Sequence, residues 1–298
     1  MRIGLYLDEP QGPEALGKLR DRIARTADEG FPSAWVSNIF GLDALTALAV
    51  AGSQVPGIEL GTAVVPTYPR HPAVLAQQAL TVNTALDGRL ALGIGLSHQI
   101  VIEGMYGYSF EKPARHMREY LSVMVPLVRG EQVEFEGETL TAKIGLSTPG
   151  TGDMPVLIAA LAPRMLKLAG EVADGTVLWM TGPRTVAEHV APAVTEAARA
   201  AGRPAPRIVC GLPICVTDDV EAARARAAEV FAVYGHLPSY RAMLDKEGAE
   251  GPAQVAIVGD EDTVAAQLEM LAKAGVTDFA ASEFGRDQRT RDFLTSLL

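Results

Sequence analysis

Residues 88–98 read GRLALGIGLSH: six residues from Leu90 to Gly95 that are apolar or glycine, followed by the polar pair Ser97-His98. A run so short and so continuously apolar suits a strand buried on both faces, the habit of a parallel sheet covered by helices. The same pattern recurs outward in both directions. Strand-like runs occur at Arg2–Leu7, Ala34–Ser37, Glu59–Val64, Leu90–Gly95, Pro155–Ala159, Thr176–Trp179, Arg207–Val216 and Thr277–Ala281. Segments of helical period lie near Glu14–Glu29, Asp43–Val55, Pro72–Leu86, Ala114–Val128, Pro163–Val172, Thr185–Ala201, Asp218–Val233 and Asp262–Ala274, with a last one from Arg289. Eight strands, each with a following helix, predict an α/β fold of the (β/α)₈ TIM-barrel type. No repeat or low-complexity linker divides residues 1–298, so the chain reads as one barrel domain.

Two segments stand outside the alternation. Residues 132–142 alternate around Glu136-Gly137 and predict a hairpin inserted between the fourth helix and the fifth strand. Residues 234–258 carry Pro238, Gly248, Gly251 and Pro252 around a short helical stretch, an insertion that acts as a lid or decorates the surface. Residues 42–55, LDALTALAVAGSQV, are apolar nearly all the way round, although a barrel helix with one wet face needs a single apolar stripe. A homodimer through the second and third helices would cover it, and so would a neighbouring loop.

The 298 residues carry a net charge of −10, and no run of Lys or Arg is present to follow a phosphate backbone, so nucleic acid is not an expected partner. No apolar segment is long enough to span a bilayer and the N-terminal run is strand-like, so no membrane association and a cytoplasmic location are expected. Cys210 and Cys215 share one strand at a spacing that sends them to opposite faces, as buried thiols rather than a disulfide. The sequence lacks H-E-x-x-H, G-x-S-x-G, P-loop and clustered Cys/His patterns, and no metal site is expected. The G-x-G of residues 93–95 is not completed to a dinucleotide fingerprint.

In such barrels chemistry sits at the C-terminal mouth, which directs attention to polar residues that follow each strand. These are Asp8 and Glu9; Asn38; Thr67, Tyr68, Arg70 and His71; Ser97, His98 and Gln99; Met180 and Thr181; Ser282 and Glu283. His98 follows glycines that permit close approach of a ligand, and it is the foremost acid/base candidate. His71, between Arg70 and Pro72, suits a helix cap better than catalysis. Asn38 either donates a hydrogen bond to a ring carbonyl or closes a turn. Tyr106, Trp179, Met180 and Thr181 are candidates for an apolar substrate pocket, with core packing as the alternative.

Four stretches together resemble the luciferase-like monooxygenase superfamily, and within it the branch that uses the deazaflavin coenzyme F-420. They are Ser33–Phe40 (SAWVSNIF), Gly61–Gln77 (GTAVVPTYPRHPAVLAQ), Gly88–His98 and Pro155–Gly175 (PVLIAALAPRMLKLAGEVADG), in an order that covers nearly the whole chain. Arg115–Tyr120 (RHMREY) resembles the branch's approach to the fourth helix. The resemblance implies a bacterial-luciferase-like barrel with insertions, usually dimeric. It further implies a bulge with a non-prolyl cis peptide at Ala63–Val64, which supports the cofactor ring, and a cofactor phosphate near Ala159, Ala160, Leu161 and Ala162. Asn38, Thr67, Ser97 and His98 complete the implied cofactor contacts. The branch's sugar-phosphate dehydrogenases carry Asp-His where this chain has Asn38-Ile39, Glu where it has His98, and a phosphate-binding Lys near Pro183. Those departures point away from an anionic sugar and toward an uncharged small organic substrate.

Three activities follow as expectations. The first is hydride transfer between coenzyme F-420 and an organic substrate, by C=C or C=N reduction or alcohol oxidation, with Asn38 and His98 as catalytic residues. The second is an FMN-dependent monooxygenase of the same superfamily. The third is a flavin-binding protein without catalysis.

Overall fold

The computed structural model describes residues 1–148, 153–285 and 288–298. Its strands are β1 (Arg2–Leu7), β2 (Ser33–Val36), β3 (Glu59–Thr62), β4 (Val65–Pro66), β5 (Leu90–Gly95), β6 (Val133–Glu136), β7 (Thr141–Ile144), β8 (Val156–Ala159), β9 (Gly175–Trp179), β10 (Arg207–Val216), β11 (Ile257–Gly259) and β12 (Asp278–Glu283). Strands β1, β2, β3, β5, β8, β9, β10 and β12 pair in that order, all parallel. The cylinder closes where β12 returns to β1, with Gly4 opposite Ala280. Burial on both faces explains the unbroken apolar runs: every residue of β5 is buried. Inside the cylinder Trp35, Ala91, Leu157, Val177, Val209 and Ala280 form one packed layer.

The principal helices are α1 (Ala15–Asp28), α2 (Ala44–Ala47), α3 (Pro72–Ala85), α4 (Gln99–Gly104), α5 (Pro113–Val128), α6 (Pro163–Glu171), α7 (Pro183–Thr185), α8 (Ala191–Ala200), α9 (Val220–Val230), α10 (Pro238–Glu247), α11 (Pro252–Val255), α12 (Glu261–Lys273) and α13 (Arg289–Ser296). Their starts are legible chemistry. Asp43, Asp219 and Asp260 accept from the backbone N–H groups of Thr46, Ala222 and Thr263, while Pro72, Pro113, Pro163 and Pro238 occupy first-turn positions where no N–H is needed. Two helices contain π-helical turns, Leu48–Gly52 after α2 and Val186–Val190 between α7 and α8.

The expected strands and helices are present, with four local differences. The run Glu59–Val64 is not one strand: β3 stops at Thr62 and β4 resumes at Val65. Across that break the pairing with β5 slips from Leu60–Leu90 to Val65–Ile94, so one extra residue is accommodated as a bulge. The helix expected from Thr185 begins at Pro183. The short helix α4 and the strand β11 were not expected, because six and three residues are too few to show a period.

The hairpin expected at residues 132–142 is β6–β7, antiparallel, and it extends to Ile144. The buried Glu119 carboxylate of α5 holds its turn, accepting from the backbone N–H groups of Glu138 and Thr139 and from the Thr139 hydroxyl. The second helical segment packs mostly within the chain: Leu45, Leu48 and Ala51 are buried, and Val50, with Val74 of α3, stands exposed. Cys210 and Cys215 are both buried, and neither forms a disulfide. At the N-terminal end of the barrel the Arg207 guanidinium bridges Glu59 and Asp278, with closest approaches of 2.9 and 2.7 Å, and ties three strands together.

Candidate active site

At the C-terminal mouth lies a cavity of about 390 Å³. Its floor is built by β1, β2, the β3–β4 bulge and β9, through Tyr6, Ser37, Ala63, Val64 and Trp179. One wall comes from the chain leaving β2 (Asn38, Ile39, Phe40) and another from the chain leaving β5 (Ser97, His98, Ile100, Val101, Tyr106). Val233, just before the insertion, and Tyr234, Leu237 and Tyr240 within it supply the third. No Asp, Glu, Lys or Arg lines it among the described residues.

The peptide bond Ala63–Val64 is cis, as the resemblance implied, and its two half-buried residues face the cavity. The Tyr6 hydroxyl donates to the Ala63 carbonyl at 2.7 Å. The glycines of GIGLS lie against this bulge. A Cβ at Gly95 would stand 2.6 Å from Cγ2 of Val64, and one at Gly93 would stand 2.0 Å from the carbonyl oxygen of Thr62. Only glycine at both positions lets β5 lie against the bulged chain.

Beyond Gly95 the chain turns at Ser97, whose φ is 60°, and His98 begins α4. No hydrogen bond holds the His98 ring among the described residues; the ring packs against Tyr240 at 5.5 Å between centroids. Burial lowers its proton affinity below the ordinary histidine value and so favours the uncharged imidazole. Asn38 uses its amide oxygen to accept from the Ala44 N–H at 3.0 Å, which closes the turn into α2 and leaves its NH₂ as a donor at the cavity.

The remaining candidates are not gathered here. Thr67 is fully buried beside the cavity, and its hydroxyl shares a 3.0 Å hydrogen bond with His116 Nε2. Met180 and Thr181 are fully buried in the helix-side core, and the Thr181 hydroxyl donates to the Trp179 carbonyl at 3.2 Å. Ala159, Ala160, Leu161 and Ala162 lead into α6, where Leu161 accepts from His189 Nε2 at 2.8 Å. His71 caps α3, accepting from the Ala73 N–H.

Sequence reasoning missed Tyr6, Tyr234 and Tyr240. Tyr6 lies inside the first strand, whereas a rule that looks to residues following each strand passes over it. Period-two alternation from Gly4 would have turned it inward. Tyr234 and Tyr240 lie in the insertion whose placement the sequence left open. A continuous aromatic series joins these residues: Tyr240 meets Tyr234 at 5.3 Å, Tyr234 meets Trp179 at 5.7 Å, and Trp179 meets Tyr6 at 5.1 Å.

A closed parallel barrel with a bulged third strand and an apolar mouth defines a (β/α)₈-barrel protein whose candidate site lies at the C-terminal ends of its strands. Residues 1–278 match the model of the luciferase-like monooxygenase family, and the chain belongs to that family. It is 28% identical over 233 residues to a 5,10-methylenetetrahydromethanopterin reductase of Methanolobus tindarius, which covers 78% of this chain and 71% of that one. Among solved structures it is similar to the coenzyme F-420-dependent tetrahydromethanopterin reductase of Methanopyrus kandleri, with TM-score 0.83, 23% identity and coverage of 99% and 97% of the two chains. It is also similar to a monooxygenase of Streptomyces bottropensis, with TM-score 0.80, 20% identity and coverage of 100% and 98%.

Proposed function

We propose that this protein transfers a hydride between coenzyme F-420 and an uncharged organic substrate. The observation that carries the reading is the floor of the cavity, where the Ala63–Val64 bulge presents a small, half-buried backbone surface beneath an apolar space. A flat ring system fits such a platform, and the NH₂ group of Asn38 stands at its side as a hydrogen-bond donor. The backbone N–H groups of the chain Ala159–Ala162, which leads into α6, are the proposed seat of the cofactor's phosphate. Among the described residues the lining carries no charged side chain, which supports an uncharged substrate, since an anion would find no partner among them.

When bound, the deazaflavin supplies the carbon that gives or takes the hydride. The protein's part is orientation, exclusion of water and movement of one proton. His98 gives or takes that proton at the substrate atom next to the carbon that changes oxidation state. An uncharged ring is ready to accept from an alcohol hydroxyl as the C–H bond is lost. In the reverse sense, reduction of C=O, C=C or C=N, it must first be protonated from solvent at the mouth. Trp179 and Tyr106 are proposed to flank the substrate. Two copies are proposed to pair through α2 and α3, where Val50 and Val74 are exposed.

The second reading is a monooxygenase with reduced FMN, in keeping with the family's name. The two differ in what they consume. Uncharged enones, imines and secondary alcohols, supplied with either form of coenzyme F-420 without oxygen, are expected to change the coenzyme's redox state in step with product. Oxygen uptake with reduced FMN, and no turnover with the deazaflavin, would replace the first reading by the second.

A further inference from the structure

Isolated exposed hydrophobic side chains are ordinary, but several gathered around one opening are not. Phe40 and Ile100 are 62% and 67% exposed, and both line the cavity. Ile39, Tyr106 and Val233 are likewise exposed and likewise line it. These side chains come from three separate segments, so no single loop placement accounts for them. The apolar lining therefore does not end inside the cavity but continues onto exposed side chains at its mouth.

Resting on the assignment of this cavity as the substrate site, we infer that the substrate is an apolar molecule longer than the cavity. Its reacting end lies inside, and its apolar body lies on the rim formed by Phe40, Ile100 and Val233. A small polar substrate would leave this rim in water whether bound or free. A long apolar one removes it from water on binding, and each methylene laid on such a surface strengthens binding by about two- to fourfold. The rim thus sets substrate length, and the lining inside sets which end reacts.

The test is a binding series that needs no turnover. Para-alkylphenols from methyl to octyl are titrated against the full chain, with the fluorescence of Trp179 and Trp35 as readout. The expected result is a Kd that falls about two- to fourfold per added methylene. Phe40→Ser with Ile100→Ser should flatten that dependence for the longer members. Val233→Ser alone should flatten it in part, while Val74→Ser, on the far surface of α3, should leave it as in the parent. A Kd independent of chain length, or a slope untouched by the double variant, would overturn the inference. So would sedimentation showing that the double variant splits a dimer, which would make the rim an interface between copies. A length-dependent Kd without turnover by any cofactor would leave the rim standing and remove the hydride-transfer reading. Turnover with a flat series would do the reverse.

Discussion

The Tyr6 hydroxyl and the Ala63 carbonyl oxygen lie 2.7 Å apart, a hydrogen bond that spans 57 residues of sequence and fixes the first strand to the bulge of the third. Trp179 braces the Tyr6 ring from the other side. Tyr6→Phe keeps the ring and removes the donor. It is expected to cost about 1 kcal/mol in urea unfolding and to weaken cofactor binding several-fold. A lower unfolding midpoint with unchanged cofactor affinity would confine Tyr6 to packing.

The His98 ring makes no hydrogen bond among the described residues and lines the cavity, which leaves its nitrogens open to a substrate. His98→Ala is expected to lower kcat by about 10²–10⁴-fold while cofactor affinity changes little. Burial lowers the ring's proton affinity, so alcohol oxidation should lose activity only below the ordinary histidine range as the base is protonated. That acid limb should vanish from the kcat profile of the alanine variant. A variant with parental kcat would take His98 out of the mechanism.

His116 is stacked on Tyr68 at 4.0 Å and bonded to Thr67. Burial pushes its imidazole down to about 4, against the ordinary value of 6.5, with Glu119 opposing the shift. Between those values the unfolded chain takes a proton that the folded chain refuses. Stability fully present above about pH 6.5 is therefore lost as the pH falls toward 4. After allowance for solvent reaching the ring, His116→Gln should make the fall in unfolding free energy between about pH 7 and 4 shallower by about 1–2 kcal/mol. Parallel pH profiles for the two proteins would refute the assignment.

Glu247, at the end of α10, accepts from the backbone N–H groups of Arg184 and Thr185 at 3.1 and 2.7 Å. A carboxylate is thereby seated on the first turn of the α7–α8 helical segment and anchors the insertion that carries Tyr240. Glu247→Ala should lower stability by about 1–2 kcal/mol, speed amide exchange across residues 238–247, and raise KM more than it lowers kcat. Exchange rates matching the parent would mean that α10 is held by its apolar contacts alone.

The barrel was legible because buried parallel strands are written as short apolar runs, and because prolines and aspartates mark the helix starts. The bulge was not legible from periodicity: Thr62 to Val65 is apolar or small throughout, and only the resemblance singled out Ala63–Val64. Asn38, Ser97 and His98, singled out by following strand ends, and Tyr106 and Trp179, singled out as apolar pocket candidates, all line one cavity. Met180 and Thr181 satisfied the same rule yet are buried on the helix side. Met180 has a φ of 53°, and a turn of that kind cannot be read from residue type. Tyr240 could not be placed at all, since reaching His98 depends on how an insertion folds back over the mouth.

The floor at Ala63–Val64 is proposed to receive a deazaflavin ring. Fluorescence titration of the cofactor-free protein against coenzyme F-420 and against FMN tests it most directly. Saturable one-to-one binding of coenzyme F-420, much tighter than that of FMN and weakened by Ala63→Leu, is the predicted result. No binding of the deazaflavin, or affinity unaltered by the bulky side chain at position 63, would contradict it.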